Sequence, residues 1–189
     1  MASENSRPLR YIMDKLLEQR ILLLSEPVTG ESAQRLMAQL LYLDAQDSKK
    51  PVHLYINTPG GSVSDGFAIF DTIRFIRAPV VSICTGMSAS MGTILMLAPQ
   101  EKKNRLCLPN TRIMIHQPSG GYRGSASDIE IGAKEIVKLR DRLIQIYVEE
   151  AGIDGDRVRN DMSRDFWMTA EEAREYGLVD RVVRNLDDL

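Results

Sequence analysis

The chain has 189 residues, and its 24 basic residues nearly balance its 26 acidic ones, for a formal net charge of −2 at pH 7. This length suits a single domain with a full core, and the lack of charge blocks argues against nucleic acid or an anionic membrane as the main partner. Two separated histidines and two cysteines without CxxC spacing predict no metal site, and the lack of a signal segment or a membrane-spanning apolar run predicts a cytoplasmic protein.

Apolar runs and turn residues along the chain predict an alternation of strands and helices. Strands are predicted at 20–24, 52–56, 80–84, 106–115 (interrupted by Pro109) and 178–183, and helices at 31–44, 63–76, 91–98, 128–151 and 170–176. Capping boxes are predicted at three helix starts, namely Ser62 with Asp65, Ser127 with Glu130 and Thr169 with Glu172. Because strands joined through helices form βαβ crossovers, the order predicts an α/β fold with a mainly parallel sheet.

The most informative segment is a cluster of small residues at 86–92, directly after the predicted strand at 80–84. Ser90 lies there at the turn from strand to helix, where a hydroxyl is held beside backbone amides that no strand or helix bond uses. Nucleophilic catalysis needs such a fixed hydroxyl, together with donors for the oxyanion. Close packing alone also explains small residues at a turn, and Ser82 and Ser88 are competing candidates.

Only two histidines are available as a general base. His53 lies within a predicted strand, whereas His116 follows one and precedes a loop rich in proline and glycine, where functional sites are usually built. A partly buried histidine without a catalytic role is the alternative for His116. Asp165, flanked by large apolar residues, is the candidate to orient the histidine. Pairing with Arg164 or capping of a turn is the alternative for this carboxylate.

Three of these features follow predicted strands. Gly60 and Gly61 come after the strand at 52–56, Ser90 after the next strand, and His116 after another. Sites in parallel sheets gather outside the carboxyl ends of the strands, so we expect these residues to lie together. The two glycines would let backbone approach a substrate closely and supply an N–H donor, and a plain turn before a helix is the alternative.

Longer motifs, in matching order along the chain, resemble those of the ClpP family of serine peptidases from Leu16 to Val183. The matching stretches are YINTPGGS at 55–62, ASMG at 89–92, MIHQP at 114–118, DIEI at 128–131, RD at 164–165 and EYGLVD at 175–180. The resemblance implies that Ser90 is the nucleophile, His116 the base and Asp165 the residue that orients it. It also implies that the amides of Gly61 and Met91 form the oxyanion hole.

The resemblance further implies a crotonase-like spiral of βαβ units that carries a protruding handle at 117–151. It implies one peptidase domain over 1–189, with a short N-terminal segment at 1–15. In the family, a substrate peptide adds as a strand beside the handle backbone. The residues expected to bind substrate here are Gly60, Gln117, Pro118, Gly120 and Gly121.

Assembly and partners also follow from the resemblance. It implies two stacked seven-membered rings, built from this chain alone or together with a paralogue, that enclose a chamber for unfolded polypeptide. The chain has no G-x-x-x-x-G-K-[ST] motif, so a separate Clp-type AAA+ ATPase is expected to unfold substrates and use the ATP, and no cofactor is expected in this chain. The residues expected to receive the ATPase are His53, Tyr55 and Phe75.

Departures from the family pattern leave other functions open. A short segment precedes Leu16, Ser125 stands where glutamine is common, and Gly132 lies inside the handle helix. These departures motivate a poorly active or structural ring subunit that needs a paralogous partner ring. A crotonase-type acyl-CoA enzyme is a further alternative, because that superfamily shares the spiral architecture and an oxyanion hole but needs no Ser–His–Asp set.

Overall fold

The computed structural model describes residues 6–121 and 123–189, so residues 1–5 of the predicted N-terminal segment and Tyr122 of the predicted handle lie outside it. The helices are α1 (Ser6–Glu18), α2 (Gly30–Gln46), α3 (Val63–Phe75), α4 (Met91–Met96), α5 (Ala126–Ala151), α6 (Gly155–Asp161) and α7 (Ala170–Tyr176). The strands are β1 (Ile21–Leu24), β2 (Val52–Thr58), β3 (Val80–Ala89), β4 (Arg105–Cys107), β5 (Arg112–Ile115), β6 (Phe166–Met168) and β7 (Arg181–Val182). The alternation of strands and helices confirms the predicted α/β class.

Over residues 6–121 and 123–189, the strands form one seven-stranded sheet, in which β1, β2, β3, β4 and β7 are hydrogen-bonded in that order. Strand β5 pairs with β3 and with β6 outside this path. Every strand pair is parallel except β5 with β6, which is antiparallel. The prediction of a mainly parallel sheet is therefore confirmed.

Strand β3 is longer than the sequence pattern predicted. It continues five residues past Cys84, through Gly86, whose φ of 55° lies in the left-handed region that glycine tolerates. The first part of β3 pairs with β4, and residues 87–89 pair with β5. The strand predicted at 106–115, with an interruption at Pro109, is divided at that point into β4 and β5, which pair with different parts of β3.

The N-cap of helix α5 lies two residues earlier than predicted. The capping box is made by Ser125 and Asp128, not by Ser127 and Glu130, and Ser127 lies in the first turn of the helix. The capping box at Thr169 with Glu172 is confirmed. At α3, the Ser62 hydroxyl accepts the Asp65 amide as an N-cap, but the Ser62 amide donates to the Val28 carbonyl and not to Asp65, so the predicted capping box is only half formed.

Two apolar clusters cover the faces of the sheet. The main core includes the buried sides of α2, α3, α4, α5 and α7, together with both cysteines, which are free and buried as predicted. The second cluster is small and consists of Ile83, Leu106 and Val183, with Tyr55 packed against it. None of the helices in the described ranges is long and apolar enough to cross a membrane.

Candidate active site

Ser90 lies at the junction between β3 and α4. It occupies the N-cap position of α4 with φ 55° and ψ −119°, an uncommon conformation for a residue with a side chain. Its amide donates to the Met114 carbonyl in β5 at 2.9 Å, which ties the turn to the neighbouring strand. Because such strain persists only where the surroundings enforce it, the backbone of Ser90 is held in this conformation by the rest of the fold.

His116 and Asp165 complete a hydrogen-bonded chain with this serine. His116 Nε2 lies 2.9 Å from Ser90 Oγ, and His116 Nδ1 lies 3.0 Å from Asp165 Oδ1. An ionised carboxylate can only accept, so the Asp165 bond places the proton on Nδ1 and leaves Nε2 free to accept from the serine hydroxyl. The Asp165 carboxylate therefore contacts the histidine that it was expected to orient.

The strand pairing explains how these residues meet. His116 directly follows β5, and Asp165 directly precedes β6. The two strands are antiparallel with Ile115 opposite Phe166, so the next position on each chain brings His116 opposite Asp165. The backbone beyond His116 is held by the Gln117 amide, which donates to the Met162 carbonyl at 2.7 Å.

The competing serines and the second histidine lie in different surroundings. Ser82 Oγ donates to the Met96 carbonyl at 2.8 Å. Ser88 Oγ is buried and has no hydrogen-bond partner among the described residues. His53 is half-buried in β2, where burial lowers its pKa below the ordinary value. Of the three candidate serines, Ser90 is the one whose hydroxyl lies within hydrogen-bond distance of a histidine.

Gly60 and Gly61 lie against the Ser90 turn, as expected from the strand ends. A Cβ atom on Gly60, whose φ is 91°, would lie 2.7 Å from the Ala89 carbonyl oxygen and 2.7 Å from Ser90 Cβ. Val28 brackets Gly61 through two bonds, because its amide donates to the Gly60 carbonyl at 2.8 Å and its carbonyl accepts the Ser62 amide at 2.9 Å. In a parallel pairing of this kind, the amide of the bracketed residue points away from the partner.

Met91 supplies the second backbone amide at this turn. It is the first residue of α4, and the first amides of a helix have no carbonyl four residues earlier with which to bond. The Met91 amide nitrogen would lie 2.9 Å from a Cβ atom on Gly60, so the turn carrying Gly60 and Gly61 is in contact with the start of α4. The structure therefore brings the turn that carries Gly60 and Gly61 into contact with Ser90 and Met91.

An apolar cavity of about 20 Å³ opens beside the serine and the histidine. Its lining residues other than Ser90 and His116 are Val63, Met91, Ile94, Pro118, Leu143, Tyr147 and Met162. Met91 was expected in the oxyanion hole and Pro118 in substrate binding, whereas no role was predicted for the other five residues. The signal was present for Leu143 and Tyr147, which repeat at helical spacing on the buried face of α5, but periodicity alone does not separate a pocket wall from the core.

The residues after His116 form the edge of a more open cleft. This cleft has a volume of about 490 Å³ and is lined by His116, Gln117, Ser119, Ser163, Arg164 and Asp165. The Gln117 side chain donates to the Ser163 carbonyl at 3.2 Å. Gly120 and Gly121 are exposed beyond it, and the space around the Gly121 Cα is open. An extended peptide therefore has access to this backbone.

The residues expected to receive a partner lie on two elements. His53 and Tyr55 are half-buried, and because they are two residues apart on β2 they share one face of the sheet. Phe75 is the last residue of α3 and is 82% exposed.

Within the described ranges, no group of three or more histidine, cysteine or acidic side chains is arranged to hold a metal ion.

A serine, histidine and carboxylate in this hydrogen-bonded order, beside two backbone amides, define the geometry of serine hydrolases. The family model described as Clp protease matches residues 4–186. The ATP-dependent Clp protease proteolytic subunit of Deinococcus radiodurans is 47% identical over 172 residues, which cover 91% of this chain and 84% of that protein. The ATP-dependent Clp protease proteolytic subunit 1 of Salinibacter ruber is 47% identical over 180 residues, which cover 94% of this chain and 77% of that protein.

The chain therefore belongs to the Clp protease family, and it is a protease subunit of the serine type. This membership confirms the resemblance found in the sequence. It also argues against the alternative of an acyl-CoA enzyme, because the family model that matches residues 4–186 is that of a peptidase family.

Proposed function

We propose that this chain hydrolyses peptide bonds of unfolded polypeptides, with Ser90 as the nucleophile, His116 as the general base and Asp165 as the residue that orients the imidazole. The observation that carries this proposal is the continuous chain of hydrogen bonds from Ser90 Oγ through His116 to Asp165, at 2.9 and 3.0 Å. The side chain of Asp165 is 63% exposed, so the histidine is oriented from the solvent side.

The reaction follows from these positions. Ser90 Oγ attacks the scissile carbonyl carbon while its proton passes to His116 Nε2, and the oxyanion is stabilised by the amides of Gly61 and Met91. The C–N bond then breaks as His116 returns the proton to the leaving amine, which gives an acyl-enzyme. Water attacks the ester with His116 again taking a proton, and the carboxylate product leaves as Ser90 regains its hydrogen.

Substrate is proposed to bind in the open cleft beside His116. An extended peptide would pair with the backbone of Gly120 and Gly121, with Gln117 and Pro118 beside it and Gly60 allowing its close approach. The apolar cavity beside Ser90 would take the side chain before the scissile bond. Its walls of Val63, Ile94 and Leu143 favour an apolar side chain, and its small volume requires the walls to move for a large one.

The assembly is proposed by analogy with the family. The chain would form a single peptidase domain over 1–189 and build double heptameric rings, alone or with a paralogue, through a handle at 117–151. The handle helix carries exposed apolar side chains at Ile129, Ile131 and Val137 that suit such a contact. A Clp-type AAA+ ATPase would dock at His53, Tyr55 and Phe75 and use the ATP in the cytoplasm, and the peptidase itself would need no cofactor.

The test is the intact mass of the protein after treatment with a fluorophosphonate, which phosphonylates activated serines. We expect one adduct on the unmodified protein and none on Ser90→Ala. Ser88→Ala is the matched control, because Ser88 Oγ has no bonding partner among the described residues and its loss should leave the adduct intact. An adduct that survives Ser90→Ala would refute the assignment of the nucleophile.

The same samples address the alternative of a poorly active ring subunit. We expect the purified chain to cleave small peptides, because the serine and histidine are already within hydrogen-bond distance in the single chain. Labelling or cleavage that requires an added paralogous ring would favour the alternative.

A further inference from the structure

Thr58 is a fully buried polar residue at the end of β2, two residues before Gly60. Its hydroxyl donates to the Glu26 carbonyl at 2.7 Å and accepts the Gly60 amide at 3.2 Å. A threonine hydroxyl has one hydrogen to donate and can also accept, so both of these bonds form at once. The hydroxyl therefore links the loop after β1 to the turn that carries Gly60 and Gly61.

The loop after β1 holds the same turn from its other side. Val28, two residues after Glu26, makes the two backbone bonds that bracket Gly61. The bond from Thr58 to the Glu26 carbonyl therefore closes a ring of contacts around the Gly61 amide. Glycines with positive φ do not fix this turn by themselves, because glycine backbone is the most freely moving.

The methyl group of Thr58 contacts the other side of the site. A Cβ atom on Gly92 would lie 2.6 Å from Thr58 Cγ2, so the methyl group packs directly against the first turn of α4. That turn begins with Ser90 and Met91. One side chain thus touches the glycine turn through its hydroxyl and the start of the helix through its methyl group.

We propose that Thr58 is a positioning residue for the oxyanion hole, which sets the Gly61 amide relative to the Met91 amide and to Ser90. This inference rests on the proposed function, because it assumes that these amides stabilise the oxyanion. An oxyanion donor contributes only when it lies about 3 Å from the position that the oxygen takes in the transition state. A small displacement of the Gly61 amide would therefore reduce the stabilisation of the transition state and leave substrate binding nearly unchanged.

The experiment compares Thr58→Val with the unmodified protein in the assembled form. Valine keeps the shape and the methyl contact but removes both hydroxyl bonds. With a fluorogenic leucyl peptide amide we expect kcat per titrated active site to fall about tenfold, with KM changed less than about twofold. Affinity for the matching peptide boronate, which forms a tetrahedral adduct on the serine, should fall by a similar factor.

Two sets of variants separate positioning from stability. Thr72→Val removes an equally short bond, from a buried threonine hydroxyl to the Ala68 carbonyl at 2.7 Å, on the far part of α3, and should leave kcat and boronate affinity unchanged. Thr58→Ser and Thr58→Ala both lack the methyl group and differ only in the hydroxyl. We expect serine to retain far more activity than alanine, and this pair keeps the test valid if valine prevents assembly.

The outcomes are distinct for the two proposals. Equal kcat and equal boronate affinity in Thr58→Val and the unmodified protein, or in Thr58→Ser and Thr58→Ala, would overturn the role of Thr58 while Ser90→Ala remains inactive. A fall only in the number of titratable sites would overturn it as well, because that result describes lost folding. Cleavage that persists in Ser90→Ala would instead overturn the proposed function itself.

Discussion

Glu150 offers the sharpest test of how the fold is stabilised away from the site. Its carboxylate accepts from Arg105 Nη2 at 2.7 Å and pairs with Arg74 Nη2 at 2.6 Å. The Arg105 side chain is 1% exposed and that of Glu150 is 12% exposed. Arg105 also donates to the carbonyls of Pro99 and Glu150, so this cluster joins β4 to the C-terminal end of α5.

Replacing Glu150 with glutamine leaves two guanidinium groups facing each other without a counter-charge. At an effective dielectric constant near 20, each pair contributes about 4 kcal/mol of Coulomb energy at contact distance. Arg74 is 31% exposed and recovers hydration, and the amide oxygen of glutamine still accepts one bond. We therefore expect Glu150→Gln to lower the free energy of unfolding by about 3 kcal/mol, within the range for removing one partner of a buried pair.

The assay is urea unfolding at one fixed protomer concentration, because subunit assembly shifts apparent stability. Glu149→Gln is the matched control. Glu149 is 46% exposed and pairs with Arg142 at 3.4 Å, so its loss should change the free energy of unfolding by less than about 0.5 kcal/mol. Equal effects of the two substitutions would refute the reasoning, because they would show that the cluster around Arg105 is no more than a surface pair.

Two further predictions concern the site and the proposed docking face. Gly61→Ala should abolish fluorophosphonate labelling and lower the unfolding temperature, because the φ of Gly61 is 149° and a Cβ atom there would collide with the Val28 backbone. Gly155→Ala is the control and should be tolerated, because a Cβ atom on Gly155 would lie 3.5 Å from its nearest neighbouring atom. Equal labelling of the two variants would contradict this prediction. Burial lowers the pKa of His53 below 6.5, so the unfolded chain takes up its proton first and stability falls as the pH drops below that value. The unfolding temperature should therefore drop less between about pH 8 and pH 5.5 in His53→Phe than in the unmodified protein, and equal drops would exclude His53 as a source of the pH dependence.

Local signals in the sequence were sufficient for several elements. The capping box at Thr169 with Glu172 and the glycine at 177 mark both ends of α7 without reference to the rest of the chain. The start of α5 could not be placed in this way. Ser125 and Ser127 are each followed three residues later by an acidic side chain, so the two candidate caps are equivalent in sequence. The structure selects Ser125, which directly follows Gly124 at a φ of 151°.

Non-local pairing explains most of the other differences. Pro109 marks the interruption of the strand predicted at 106–115, but the sequence does not show that β4 and β5 pair with different parts of β3. Helix α6 has seven residues and β6 has three, too few for periodicity to reveal. Cavity walls were missed for a related reason, because a pocket is defined by which faces meet rather than by any one of them.

The relative placement of Ser90, His116 and Asp165 follows from two strand registers. Ala89 pairs with Met114 on the parallel side, and Ile115 pairs with Phe166 on the antiparallel side. Each of the three site residues lies at, or one residue beyond, the end of one of these pairings. A slip of one residue in either register would turn the side chain to the opposite face and separate the hydrogen-bonded chain. The extension of β3 past Gly86 is therefore the structural condition for the site, since without it Ser90 would have no strand beside it that leads to His116.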